Sequence, residues 1–140
     1  MTYFPDGMIP PPVSLDTAAF WDAAKEHRLV LQFCEDCGRF QHPPGPVCHR
    51  CRGSNLLWRD VEGRGTVYTY TWVHKAFTPA LQDRLPYAVA VVELPGAENT
   101  RFVSNVVEVT PDTLTVGLPV ELVWDDYAEL SVPRFRPASP

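Results

Sequence analysis

Four cysteines are the residues of this chain best suited to chemistry, and they fall into two closely spaced pairs. Two residues separate Cys34 from Cys37, ten more lead to Cys48, and two separate Cys48 from Cys51. This spacing lets the sulfurs of each pair converge on one ion, and two such pairs supply the four thiolates of a tetrahedral site. Because four thiolates close the coordination sphere, the predicted metal centre is structural and leaves no open position to activate water.

The sequence leaves the identity of the ion open. Zn²⁺ is the commoner occupant of such ribbons, and iron of the rubredoxin type uses the same ligands. The competing interpretation is four free or disulfide-bonded cysteines, which the spacing and a reducing compartment disfavour. His42 and His49 lie among the cysteines and are possible replacement ligands, although the four cysteines are already in register.

Composition limits the compartment and the partners. No run approaches the roughly 18 to 20 apolar residues of a membrane span, and the first residues lack the basic and apolar regions of a signal peptide. We therefore expect a cytoplasmic protein without a membrane segment. A formal net charge of −5, from 12 Lys and Arg against 17 Asp and Glu, disfavours binding to a nucleic-acid backbone.

The sequence contains no recognisable catalytic motif. It lacks a nucleophile elbow, a phosphate-binding glycine-rich loop and a His-Glu metal motif. His74, beside Trp72, is the candidate general base, but a lone histidine in a strand is more often structural or superficial. The paired acids are interpreted as solvated: Asp60, Glu62, Asp125 and Asp126. We predict no catalytic residue.

The N-terminal region is predicted to be an arm followed by one helix. Four prolines within residues 1–13 favour extended backbone, and Ser14 is a suitable N-cap for a helix over 15–28. Phe20 and Trp21 on this helix are expected to pack on the body of the protein. The rival interpretation is that they form an exposed contact surface for another protein.

The rest of the chain is predicted to be mainly β. A short strand over 29–33 leads into the first cysteine pair, and Gly63-Arg64-Gly65 is a predicted turn. The clearest strand covers 66–77, with Thr69 to Trp72 alternating between core and solvent. Further strands are expected over 86–94, 101–109, 119–126 and 130–135. This pattern predicts a small five-stranded barrel, with a sandwich as the alternative.

Taken together, these stretches resemble a family of bacterial and archaeal proteins associated with acyl-CoA and thiolase-type enzymes. The matching segments are FWDAAKEHRLVLQFCEDCGRFQHPP, CHRC, GRGTVYTYTWVHKAF, LPYAVAVVEL, VGLPVELVW and PRFRP. The resemblance implies an N-terminal arm and helix over 1–28, a rubredoxin-like zinc ribbon over 29–60 and an OB-fold barrel over 61–140. One departure is Arg52, where the family often has glycine.

The resemblance also implies a function. Members of the family look like non-catalytic accessory subunits of thiolase-like or sterol-carrier-protein-X-like enzymes, including aldolases that shorten steroid side chains. This chain is then expected to help enclose or present an acyl-CoA substrate, with Zn²⁺ on its cysteines. The candidate ligand or partner surface comprises Phe20, Trp21, Trp72, His74, Phe77, Arg134 and Arg136.

Within that surface, Arg134 and Arg136 are candidates for contacts with CoA phosphates, although arginines in a tail are more often solvated. Two other functions remain open at this point. One is a nucleic-acid-binding module, because OB-type barrels stack bases on exposed strand aromatics. The other is a stand-alone enzyme that acts on acyl-CoA.

Overall fold

A computed structural model describes residues 2–140, and within that range the chain is mainly β. One α-helix, α1, covers Ala18–Lys25. The eight strands are β1 (Val30–Cys34), β2 (Arg39–Gln41), β3 (Leu56–Asp60), β4 (Arg64–Val73), β5 (Tyr87–Leu94), β6 (Thr100–Val106), β7 (Pro119–Asp126) and β8 (Ser131–Pro137). Two short 3-10 turns, Pro79–Arg84 and Pro95–Ala97, flank β5. The predicted fold class, a helix, a zinc ribbon and a five-stranded barrel, is confirmed.

Helix α1 is shorter than the predicted range 15–28. The carbonyl of Ser14 accepts the N–H groups of Thr17 at 3.2 Å and Ala18 at 2.9 Å, so a tight turn precedes the helix. Thr17 occupies the N-cap position without a side-chain cap bond, and the prediction for Ser14 was wrong. At the other end, His27 has a left-handed φ of 57°, which turns the chain away from the helix axis.

The ribbon is a three-stranded antiparallel sheet in the order β2-β1-β3. Every residue of β1 is buried, because β2 and β3 cover its edges, α1 packs against it, and Leu31 enters the core that it shares with the barrel. Phe33 on β1 stands opposite Phe40 on β2 and Leu57 on β3. The sequence predicted β1 but missed its two partners, which are short and carry little alternation.

The barrel closes in the order β4-β5-β6-β8-β7, with β7 returning to β4. All neighbours are antiparallel except β6 and β8, which meet in parallel at Val106 and Phe135. This strand order is that of the OB-fold, a five-stranded Greek-key barrel. The sandwich alternative was wrong.

Strand β4 contains an irregularity that the sequence pattern hides. Its pairing with β5 shifts register between Val67 and Thr69, so the inward parity changes at Tyr68. The predicted alternation from Thr69 to Trp72 is confirmed, since Tyr70 and Trp72 are half-buried and the threonines are exposed. The strand runs over Arg64–Val73, not 66–77, so Arg64 lies in the strand instead of the predicted turn.

One apolar core joins the helix, the ribbon and the barrel. Phe20 from α1 and Leu31 from β1 pack in the same cluster as Val67 and Phe135 of the barrel. Leu114, from the loop between β6 and β7, enters this cluster and is 1% exposed. No helix within residues 2–140 has the length and apolar character needed to cross a lipid bilayer.

Candidate metal centre and ligand surface

The four cysteines come together at the end of the ribbon. Cys34 ends β1, Cys37 lies in the turn to β2, and the second pair lies in the loop before β3. All four sulfurs lie within 4.8 Å of one another, and Cys34 to Cys51 and Cys37 to Cys48 each measure 3.7 Å. Metal–sulfur bonds of about 2.3 Å in a tetrahedron place sulfurs about 3.8 Å apart. The cluster therefore fits one ion.

These separations exclude the disulfide interpretation, because bonded sulfurs lie about 2.05 Å apart. The four cysteines are free thiols in the structure. Among the described residues 2–140, the group with metal-binding geometry contains these cysteines and neither His42 nor His49. The centre is thus a closed four-sulfur site that binds a structural metal.

Backbone amides support the sulfurs at each pair. The N–H of Cys37 donates to Cys34 Sγ, that of Arg50 to Cys48 Sγ and that of Gly53 to Cys51 Sγ, each at 3.4 Å. Arg52 adopts a left-handed φ of 63°, a conformation that glycine reaches without a steric cost. This is the position at which the sequence departs from the family that it resembles, and the turn forms despite the arginine.

Hydrogen bonds and burial also shift the pKa values of two of the sulfurs. Hydrogen bonds from the N–H groups of Cys51 and Arg50 lower the pKa of Cys48 to about 6, which favours its thiolate. Hydrogen bonding with Cys51, together with burial, raises the pKa of Cys37 to about 12. A bound metal cation would supply the positive charge that holds all four groups as thiolates.

Arg134 lies inside the molecule, so its description as solvated was wrong. Arg134 is 8% exposed. Its guanidinium donates hydrogen bonds to Asp125 at 2.6 Å, to Asn105 at 2.6 Å and to the Tyr127 hydroxyl at 3.2 Å. The guanidinium also lies 4.4 Å from the centroid of the Phe4 ring. Because each of its three guanidinium nitrogens donates to a protein group, Arg134 is part of a buried network.

Asp125 is the second member of this network and is 1% exposed, so its prediction as a solvated acid was also wrong. It accepts the backbone N–H of Tyr3 at 3.0 Å and the Tyr127 hydroxyl at 2.8 Å. Burial and the hydrogen bond to Asp125 raise the pKa of Tyr127. The network thereby fastens the start of the N-terminal arm to the barrel.

The remaining predicted surface residues do not form one site. The Arg136 side chain is 42% exposed and pairs with Glu121 at 3.2 Å. Trp72 lines a cavity of about 180 Å³ under the arm, which His74 and Phe77 do not border. His74 is exposed and follows β4 instead of lying within it. Phe77 is 71% exposed beside the loop that leads to the first 3-10 turn.

Phe20 and Trp21 lie in one aromatic group with His42 and Phe102, which the sequence did not link to them. Phe20 is 8% exposed and packs in the core as expected, with its ring 5.0 Å from Trp21 and 6.0 Å from Phe102. The His42 ring stacks on Phe102 with centroids 4.9 Å apart, and burial lowers the pKa of His42. The sequence suggested His42 only as a possible metal ligand.

A four-cysteine ribbon joined to an OB-type barrel defines a class of metal-stabilised two-part proteins. Residues 21–56 match the family model described as "ChsH2, rubredoxin-like zinc ribbon domain". Residues 58–125 match "ChsH2, C-terminal OB-fold domain". The chain is 33% identical over 106 residues to a DUF35 domain-containing scaffold protein of Methanothermobacter thermautotrophicus. The match covers 75% of this chain and 77% of that protein. The chain belongs to the DUF35 family.

Two bacterial relatives are longer proteins. A probable enoyl-CoA hydratase alpha subunit of Thermomonospora curvata is 44% identical over 133 residues, which cover 93% of this chain and 40% of the relative. A 3-oxo-4,17-pregnadiene-20-carboxyl-CoA hydratase alpha subunit of Mycobacterium tuberculosis is 34% identical over 134 residues, 95% of this chain and 41% of the relative. The chain thus spans about two fifths of their length.

A solved structure matches nearly the whole chain. The structure titled "Ltp2-ChsH2(DUF35) aldolase" contains a chain that is 41% identical to this one, with a TM-score of 0.83. The match covers 93% of this chain and 100% of that chain. The similarity therefore extends over the ribbon and the barrel together.

Proposed function

We propose that this chain is a non-catalytic accessory subunit of an acyl-CoA-processing complex and that it binds a thiolase-like enzyme. The observation that carries the proposal is the match, over 93% of this chain, to a chain of the Ltp2-ChsH2(DUF35) aldolase structure. The curated relatives are named as scaffold proteins or as hydratase alpha subunits for CoA thioesters, which agrees with a role inside a complex. A sterol-carrier-protein-X-like enzyme is the partner type that we favour.

The metal centre supports this role through folding and not through chemistry. We propose Zn²⁺ as the ion held by Cys34, Cys37, Cys48 and Cys51, because four thiolates in tetrahedral array suit it. Metal analysis of the purified chain tests this point. One zinc per chain is expected, whereas visible absorption of a ferric tetrathiolate would identify iron instead.

We also propose the organisation and the compartment in which this role is performed. Residues 1–28 serve as an arm and helix, 29–60 as the ribbon and 61–140 as the barrel. The cytoplasm suits four unpaired thiols, since reducing conditions keep such cysteines available for metal. The acidic net charge of −5 argues against nucleic acid as the partner.

Co-expression tests the accessory role directly. The chain is expressed with the thiolase-like protein encoded nearest to it, purified through a tag on this chain alone, and assayed for cleavage of acyl-CoA substrates. A stoichiometric complex with an activity that neither protein has alone is the expected result. A chain that elutes alone and inert contradicts the proposal, and turnover by the isolated chain identifies a stand-alone enzyme.

A pair of surface variants locates the partner contact. Phe77 is a large apolar side chain exposed to 71%, and Val116, on the turn before β7, is exposed to 67%. If the surface near Phe77 contacts the enzyme, Phe77→Ser reduces co-purification by at least about tenfold, in line with loss of an aromatic anchor. Val116→Ser is the matched control and leaves the yield of complex unchanged.

A further inference from the structure

A groove lies where the helix, the ribbon and the barrel meet. Its volume is about 450 Å³, and its walls include Phe20 and Trp21 from α1, His42 after β2, and Phe102 and Val103 from β6. Small-molecule sites in proteins commonly have volumes of about 300 to 1,000 Å³ and apolar walls. The groove therefore has the size and the lining of a ligand site.

The groove continues beneath the N-terminal arm. A second cavity of about 440 Å³ lies between arm residues 5–11 and the turn that joins β7 to β8. Pro11, Val132 and Arg134 line both spaces, so the two adjoin. Together they make an elongated channel, which suits a long or extended molecule better than a compact one.

The groove is electrically neutral. Arg134 is the only Lys, Arg, Asp or Glu among its lining residues within the described range 2–140. The charge of Arg134 is compensated by Asp125, whose carboxylate lies 2.6 Å from the guanidinium. Charge complementarity therefore favours an uncharged occupant, because a phosphate or carboxylate placed there would lose its hydration without gaining a free cation.

His42 provides a polar group in this apolar wall. Its ring lies between Phe20, at 6.5 Å, and Phe102, at 4.9 Å, and it lines the groove. Since burial lowers its pKa, the ring is neutral near pH 7 and carries one N–H donor and one acceptor nitrogen. A ligand oxygen is the natural partner for that N–H.

We propose that this groove binds the uncharged acyl or fused-ring portion of a CoA thioester, with His42 donating a hydrogen bond to an oxygen of that portion. The identity of the ligand rests on the proposed function, whereas the binding itself requires only this chain. The CoA nucleotide remains outside the groove, because the groove offers no uncompensated positive charge for its phosphates.

Titration calorimetry on the purified, metal-loaded chain tests the proposal with octanoyl-CoA, choloyl-CoA and free CoA. At least one thioester is expected to bind about tenfold or more tightly than CoA, because the apolar portion leaves water on binding. Tighter binding of octanoyl-CoA identifies a chain-like ligand, and tighter binding of choloyl-CoA identifies a ring system. Equal affinity for all three compounds, or no measurable binding, overturns the proposal.

Two variants place the binding in the groove. Val103 is 63% exposed on β6, so Val103→Trp fills the groove from an accessible position and is expected to weaken thioester binding about tenfold or more. Val116→Trp, on an exposed turn outside the groove, is the control and leaves the affinity unchanged. Unchanged affinity in Val103→Trp excludes the groove as the binding site.

The role of His42 is tested by His42→Phe. This change keeps an aromatic ring against Phe102 and removes the N–H, so we expect a loss of about three- to tenfold in thioester affinity with unchanged metal content. An unaltered affinity removes His42 from the proposal. If the wild-type chain binds no thioester and Val103→Trp abolishes co-purification with the enzyme, the groove is a protein interface. The accessory role survives that outcome and the ligand proposal does not.

Discussion

The ribbon and the barrel are both antiparallel in most of their pairings, but different forces hold them. The ribbon has three strands of three to five residues and gathers four sulfurs at its far end. The barrel has five strands that close on themselves around an apolar interior. The stability of the ribbon thus depends on an ion and that of the barrel on packing. A perturbation of one of these two forces should therefore destabilise one part and leave the other folded.

The two parts are nevertheless joined at the near end of the ribbon. Leu29 and Leu31 belong to the same core as Val67 and Phe135 of the barrel. The N–H of Val61 also donates to the carbonyl of Leu29 at 2.8 Å, directly beside the start of β4. The ribbon is therefore clamped by metal at one end and by apolar burial at the other.

Loss of the metal has the largest expected effect. Cys48→Ser, or chelation of the wild type, removes a binding free energy that reaches about 10 to 16 kcal/mol for structural zinc in small peptides. We expect the amides of residues 34–55 to lose protection from hydrogen exchange. Those of β5 retain theirs, because they lie in the barrel core.

The control is His49→Ala, which alters the neighbour of Cys48 without removing a ligand and keeps one metal per chain. Hydrogen exchange followed by mass spectrometry measures both regions in the same sample. Equal loss of protection in the ribbon and in β5 contradicts the separation of the two parts. In that case the metal holds the whole molecule together.

Breaking the buried ion pair between Asp125 and Arg134 has the next largest expected effect, and it lowers the stability of the barrel. Arg134→Met leaves the Asp125 carboxylate, 1% exposed, without its cation, which costs about 3 to 5 kcal/mol. The double variant Asp125→Leu with Arg134→Met is expected to recover most of that loss. Urea unfolding monitored by circular dichroism measures the free energies, and the metal content stays at the wild-type value.

Arg136→Met is the matched control for this experiment. Arg136 lies two residues further along β8 and pairs with Glu121, but its side chain is 42% exposed. Because solvent screens such pairs, its loss costs less than about 1 kcal/mol. Similar costs for Arg134→Met and Arg136→Met mean that the buried network does not stabilise the barrel as described.

This contrast between the two arginines explains what the sequence was able to predict. The cysteine spacing encodes the metal centre locally, because each pair needs only a tight turn. The partnership of Asp125 with Arg134 depends on the pairing of β7 with β8, in which Val123 stands opposite Arg134. Without knowledge of that register, two adjacent aspartates at the end of a strand are expected to be exposed to solvent.

The groove could not be predicted from the sequence for a similar reason. Its walls include residues of α1, of the segment after β2 and of β6, and Phe20 lies about 80 residues before Phe102 along the chain. The helix pattern correctly placed Phe20 on a buried face, but nothing in the spacing linked it to His42 or Phe102. The register shift at Tyr68 was equally hidden, since alternation is visible on each side of it.

The close backbone contact between β4 and β5 gives a third prediction, with a smaller expected change in unfolding free energy. A Cβ atom added to Gly65 lies 2.5 Å from the carbonyl oxygen of Glu93 and 2.6 Å from Val92 Cγ1. Gly65→Ala therefore forces the strands apart and is expected to cost about 1 to 3 kcal/mol. Gly96→Ala is the control, because its nearest contact is 3.6 Å. Urea midpoints that shift equally for both variants refute the packing argument.

The smallest expected effect lies where the helix end meets the barrel. Asp126 accepts a hydrogen bond from Ser131 and lies 2.7 Å from His27 Nε2, and these contacts lower the pKa of Asp126 below its ordinary value of 3.8. A lowered folded-state pKa gives stability that is complete above the unfolded value. That stability is lost as the pH falls through the folded value.

Comparison of the wild type with Asp126→Asn measures this contribution. The difference in unfolding free energy is expected to be at most a few tenths of a kcal/mol at pH 6, because both partners are about half exposed. The difference narrows as the pH falls below 3.8. Acid also releases the metal, but it does so in both proteins, so that loss cancels in the comparison. A difference that grows with acidity contradicts the assigned direction of the pKa shift and the stabilising contact between His27 and Asp126.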